Sequence, residues 1–170
     1  AAFCQIVRNI VDLDENESSD NARRKLHTHL SKLAQRPRDA DNDLEVVSID
    51  WLLDERIEGP ELVDHLEPLM AILGYPVTKP LERVEQIPSA FAALVDAESG
   101  NGPIGVIIED IHWLPDAGLK VVEELVNVAA DSSLFMILTS RPGVVHAMEQ
   151  WRKLPYFERR DLGPLDRRSA

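Results

Sequence analysis

The chain has 170 residues, a formal charge of −12, 44% hydrophobic residues and 28% charged residues, the make-up of one soluble globular domain with a single core. No apolar run approaches the roughly 18 residues that cross a bilayer and no signal-peptide pattern opens the sequence, so a cytoplasmic protein with no membrane contact is expected. The acidic excess repels nucleic-acid phosphates and weighs against direct, non-specific DNA or RNA binding, and the one cysteine, Cys4, cannot form an internal disulfide.

Residues 3–13 place Phe3, Ile6, Val7, Ile10 and Val11 on one face at helical spacing. The acidic run Asp12 to Asp20 reads as a solvated loop, with Ser19 or Asp20 available to cap the next helix. That helix carries Leu26, Leu30, Leu33 and Ala34 on one side and ends before Pro37. Arg36 to Asp43 reads as a polar loop. In Leu44 to Leu53, Val46, Val47 and Ile49 favour a strand, whereas Val47, Trp51 and the acidic exit suit a helix, towards which the reading leans. A helix over 60–73 follows, with Pro60 in its first turn, Leu62, Leu66, Leu69, Met70 and Leu73 at helical spacing, and Gly74 closing it. Pro76 to Pro88 is a loop, and a short helix runs from about Pro88 to Glu98.

From Ser99 the texture changes. The turn cluster Ser99 to Pro103 precedes Ile104-Gly105-Val106-Ile107-Ile108, an apolar run expected of a parallel strand buried on both faces. A helix from about Asp116 to Ala130 follows, with Leu119, Val122, Leu125, Val126 and Ala129 inward, and then a second apolar run over 134–138. Strand, helix and strand make a βαβ unit. Val144, Met148 and Trp151 mark another helix, and a short strand is expected around 157–162. Arg159, Arg160, Arg167 and Arg168 form a basic cluster that reads as a solvated terminal segment. The division is thus a mostly helical region over 1–98 and an α/β region over 99–170, best read as one α/β domain with a helical insertion. The sequence opens without Met, directly in a helical pattern, so an internal piece of a longer protein is expected.

Glu109 and Asp110 immediately follow the first apolar run. In parallel α/β sheets the ligand crevice lies beyond the carboxyl ends of the strands. A carboxylate there can hold Mg²⁺, which keeps several waters while bridging phosphates, and a second can orient or deprotonate an attacking water. Solvating a loop or capping the next helix is the bland alternative. After the second run comes Thr139-Ser140-Arg141-Pro142, where the planar, permanently charged Arg141 fork suits phosphate oxygens and the Thr139 and Ser140 hydroxyls can add contacts. His27 and His29, two apart on a helix, point to different faces and do not suggest a metal site. Ser140 lacks the glycine-flanked elbow of a nucleophile.

The string from Gly105 through Glu109, Asp110, Ile111, His112, Trp113 and Leu114 to Asp116 closely resembles the Walker B segment of the STAND class of AAA-related ATPases. These are the ATPase domains attached to bacterial adenylate/guanylate cyclases and to LuxR- and MalT-like regulators. The form of that segment is four apolar residues, two acidic ones, an apolar residue, His-Trp and a nearby Asp. Thr139 to Pro142 resembles the sensor segment of the same class. More loosely, 62–77, 3–10 and 156–166 resemble helical and strand segments around those motifs.

The resemblance implies a partial P-loop fold, a parallel sheet with flanking helices, acting with ATP and Mg²⁺ in a signal-transduction switch. Glu109 would hold the metal, Asp110 would share it and act on water, Thr139, Ser140 and Arg141 would sense the terminal phosphate, and His112 and Trp113 would position the site. Partners would be lid and output domains of the same polypeptide. Two departures stand out: no G-x-x-x-x-G-K-[ST] loop occurs, since Gly100-Asn101-Gly102 lacks the following Lys and helix, and the first acidic position is Glu rather than the commoner Asp. Without the loop the isolated chain is not expected to bind ATP tightly. In the family the phosphate-loop strand lies beside the sensor strand, so the edge of 134–138 is expected to be covered by 157–162, by a swapped element, or by self-association with another chain. The competing reading is a non-catalytic protein-interaction module with a degenerate nucleotide site.

Overall fold

A computed structural model describes residues 2–35, 62–81, 83, 85–141 and 149–163. The loop read at 36–43, the ambiguous stretch 44–53, Pro60, the helical positions Val144 and Met148, and Arg167 and Arg168 lie outside the described residues.

Helix α1 (Ala2–Val11) turns Val7 and Val11 into the core, with Phe3, Ile6 and Ile10 packed against it. It stops where Asp12 takes a left-handed φ of 55°, which lets the Leu13 N–H bond back to the Arg8 carbonyl at 2.9 Å. Helix α2 (Ser19–Ala34) buries Ala22, Leu26 and Leu30. Its cap is Ser18, not Ser19 or Asp20: Ser18 is the last extended residue (φ −69°, ψ 150°), so its hydroxyl is the one placed to accept from the Asn21 N–H.

The helix expected over 60–73 is divided. A 3₁₀ turn, Leu62–His65, leads into α3, Leu66–Ile72. Pro68 gives the reason: it has no N–H for the Asp64 carbonyl, and its ring crowds that carbonyl, so the preceding turn tightens. Gly74 closes α3 as expected. Its φ is 78°, and the Gly74 N–H to Ala71 and Tyr75 N–H to Met70 bonds, each 3.0 Å, complete a Schellman end. Helix α4 (Gln86–Ser99) begins two residues before Pro88, since a proline in the first turn removes only an N–H that has no helical partner.

Strands β1 (Ile104–Ile108) and β2 (Leu134–Leu138) pair in parallel, Ile104 opposite Leu134 and Ile108 opposite Leu138, joined through α5 (Asp116–Val128). This is the expected βαβ unit. Two expectations fail. The sheet is buried on one face only: Val106 and Ile108 enter the core, while Ile107, Phe135 and Ile137 are 65%, 67% and 43% exposed on the other side. Helix α4, which packs against both α5 and β1, covers that one face, and the described residues supply no second layer. Residues 157–163 carry no regular structure, so they do not pair with the outer edge of β2. Four successive charged residues, Glu158 to Asp161, leave that segment no apolar face to bury, and they pair locally instead, Arg160 with Glu158 at 2.8 Å and Arg159 with Asp161 at 2.6 Å.

The result is a helix-rich α/β architecture around a two-stranded parallel sheet. One contiguous core joins residues of both halves, among them Val7, Leu26, Leu69, Phe91, Ile108 and Leu125. No helix among the described residues is long and apolar enough to cross a membrane.

Candidate functional site at the carboxyl edge of the sheet

Because β1 and β2 run in parallel without offset, the residues that follow them emerge side by side. Three hydrogen bonds continue the pairing past the strands. The Thr139 N–H donates to the Ile108 carbonyl (3.1 Å), the Asp110 N–H to Thr139 Oγ1 (2.9 Å), and the Ile111 N–H to the Thr139 carbonyl (2.9 Å). Thr139 is therefore a rung between the two chain segments, and its hydroxyl retains a proton and a lone pair for other contacts.

Asp110 adopts φ 52° and ψ 45°, a left-handed conformation that short polar side chains tolerate better than most. It turns the chain out of the strand into a 3₁₀ turn over Ile111–Trp113. Ile111, fully buried, anchors that turn, and the Trp113 N–H returns to the Asp110 carbonyl at 2.9 Å. Alternation along the turn then buries His112, whose side chain is only 7% exposed, and leaves Trp113 72% exposed.

His112 reaches across to the other segment. Its Nδ1 lies 3.4 Å from the Arg141 backbone nitrogen, as acceptor, and 3.7 Å from Asp110 Oδ1. Accepting from Arg141 leaves the ring proton on Nε2, which is buried with no hydrogen-bond partner among the described residues. The His112 and Trp113 rings lie 5.1 Å apart at 39°, and the Arg141 guanidinium carbon stands 5.8 Å over the Trp113 ring.

All seven residues singled out in the sequence thus meet at one edge. Glu109 and Asp110 present exposed side chains there. Ser140 turns its hydroxyl to the Arg141 carbonyl at 3.2 Å. Two relations were not legible beforehand, the Thr139 rung to Asp110 and the stacking of Arg141 on Trp113. Both join residues in segments almost thirty positions apart, for which no local spacing gives a signal.

No group of three or more His, Cys, Asp or Glu side chains among the described residues is placed to hold a metal by itself. His29 pairs with Glu98, and His27 is exposed. A cleft of about 320 Å³ lined by Glu98, Asn101 and Ile104 lies at the other end of β1. No family model matches the chain, and no curated protein or solved structure is detectably similar to it.

Proposed function

We propose that this chain contributes the metal-binding and phosphate-sensing strands of a STAND-class P-loop ATPase, a nucleotide-operated switch; the glycine-rich phosphate loop does not occur within these 170 residues. The observation that carries the reading is the meeting of Glu109, Asp110 and Arg141 at one carboxyl edge of a parallel pair. That edge is where α/β sheets receive their ligands.

Bound Mg²⁺ and ATP would supply the phosphoryl group and the cation that neutralises it. Glu109, one methylene longer than Asp and free to extend from the strand end, holds the cation directly or through water. Asp110, fixed by its N–H bond to Thr139, orients or deprotonates the attacking water. Arg141 places a bidentate donor at the terminal phosphate and passes its state to a lid. Ser140 and the remaining Thr139 proton add hydroxyl contacts. Such a switch would govern an attached cyclase or transcriptional output.

The test is Asp110→Asn in the full-length protein that contains this chain. Asn tolerates the left-handed backbone of Asp110, so the turn is preserved while the base is lost. Turnover should fall at least about 100-fold, the usual contribution of a positioned acid–base group, while ATP affinity measured by calorimetry stays within about threefold, less than about 0.7 kcal/mol. Undiminished hydrolysis would remove Asp110 from its role. A protein that binds no ATP at all would favour the interaction-module reading, which draws on the exposed apolar face of Ile107, Phe135 and Ile137.

A further inference from the structure

Trp113 is a large side chain in an unexpected place. It is 72% exposed, it sits one position after the buried His112, and its ring companions are the His112 ring at 5.1 Å and the Arg141 guanidinium at 5.8 Å. Arg141 has no carboxylate partner among the described residues. Its backbone is tied through its N–H to His112 Nδ1, and His112 is held in the interior. Both residues are therefore fixed at their bases, and only the guanidinium end can swing.

We propose that the Trp113 ring is the resting place of the Arg141 guanidinium when no terminal phosphate is bound, so that departure of Arg141 from the ring distinguishes ATP from ADP. The inference rests on the ATPase reading above and adds to it a positioning residue, Trp113, that acts through Arg141.

The ranking of the two interactions makes this work. A cation over an exposed indole is attracted weakly, whereas a guanidinium on a phosphate gains a charge-assisted bidentate pair. A terminal phosphate at the sheet edge therefore takes Arg141 from the ring. ADP has no such group, and Arg141 stays. Because the ring competes with the phosphate, its removal strengthens ATP binding and leaves ADP binding alone.

The experiment is fluorine NMR on the full-length protein labelled with 5-fluorotryptophan, the Trp113 resonance being identified by its loss in Trp113→Phe. Without nucleotide, Arg141→Gln should move that resonance. A non-hydrolysable ATP analogue should move the wild-type resonance to the same position, and ADP should leave it in place. In calorimetry, Trp113→Leu should bind the analogue about two- to fivefold more tightly, the equivalent of losing an exposed cation–π contact, whereas Trp113→Phe, which keeps a ring, should stay near wild type. The proposal is overturned if Arg141→Gln leaves the resonance unmoved, or if the analogue binds by calorimetry without moving it. Absence of any binding heat condemns the ATPase reading instead, and the Arg141→Gln comparison still decides whether the stack exists.

Discussion

Asp110 and Thr139 show how much of the site depends on single atoms. Asp110 leaves β1 in a left-handed conformation, and the group that holds it there is the Thr139 hydroxyl, which accepts its N–H at 2.9 Å. Replacing Thr139 by Val keeps the shape and the β-branching but removes the acceptor. An unmade hydrogen bond of this kind costs about 1 kcal/mol, or roughly 2–4 °C in the melting temperature of a domain of this size. Thr139→Ser should recover most of the loss because it restores the oxygen. Thermal denaturation followed by circular dichroism checks both variants. Equal melting of Thr139→Val and wild type would mean that water replaces the rung at no cost. That the candidate residues leave neighbouring strands was readable from the sequence, because an acidic pair after one apolar run and an Arg after the next are local patterns. Their mutual support was not, since it depends on the strand register.

At the level of elements, the short signals were reliable where their cause is local. The apolar runs at 104–108 and 134–138, the helix between them and the Gly74 stop all stand where the residues put them. Gly74 yields a direct expectation. At φ 78° a Cβ on this residue would have nothing within 4 Å, so Gly74→Ala meets no clash and the whole penalty comes from the left-handed backbone. That penalty is about 1 kcal/mol, seen as a shift in urea midpoint with an unchanged slope. A neutral result would show that the Schellman end of α3 survives with another geometry. The burial of the sheet was less legible. A five-residue apolar run carries no mark of which face is covered, and the covering helix here, α4, packs on one side only. The strand expected over 157–162 failed for a readable reason: after Phe157, four charges in succession leave neither face apolar.

The whole molecule carries a formal charge of −12, yet its helical half is held together partly by cations on α2. Arg23 reaches Glu67 of α3 with both guanidinium nitrogens and also donates to the Pro76 carbonyl at 3.1 Å, while Glu67 accepts the Thr78 N–H at 2.8 Å. This network clasps α2, α3 and the loop after Gly74 across more than forty residues, beyond the range of any sequence pattern. The Arg23 guanidinium first, and then the Thr78 hydroxyl and amide, hold the Glu67 carboxyl well below its ordinary value of 4.5, at about 2, against the opposing effect of burial. A carboxylate with a lowered folded-state value stabilises the fold above its unfolded value and loses that contribution as the pH falls through the folded one. The window is therefore from about pH 4.5 down to about 2. With allowance for screening at the partly wet rim, the clasp contributes about 2 kcal/mol at neutral pH. General acidification acts in the other direction on a chain this acidic, because protonating its many exposed carboxylates relieves their mutual repulsion. The contribution of Glu67 is isolated by comparing wild type with Glu67→Gln. The stability gap between them, measured by urea unfolding, should be constant between about pH 7 and 5 and should close progressively from about pH 4.5 towards 2. A gap that stays unchanged down to about pH 3 would show that the Glu67 carboxylate does not gain its stability from Arg23 and Thr78.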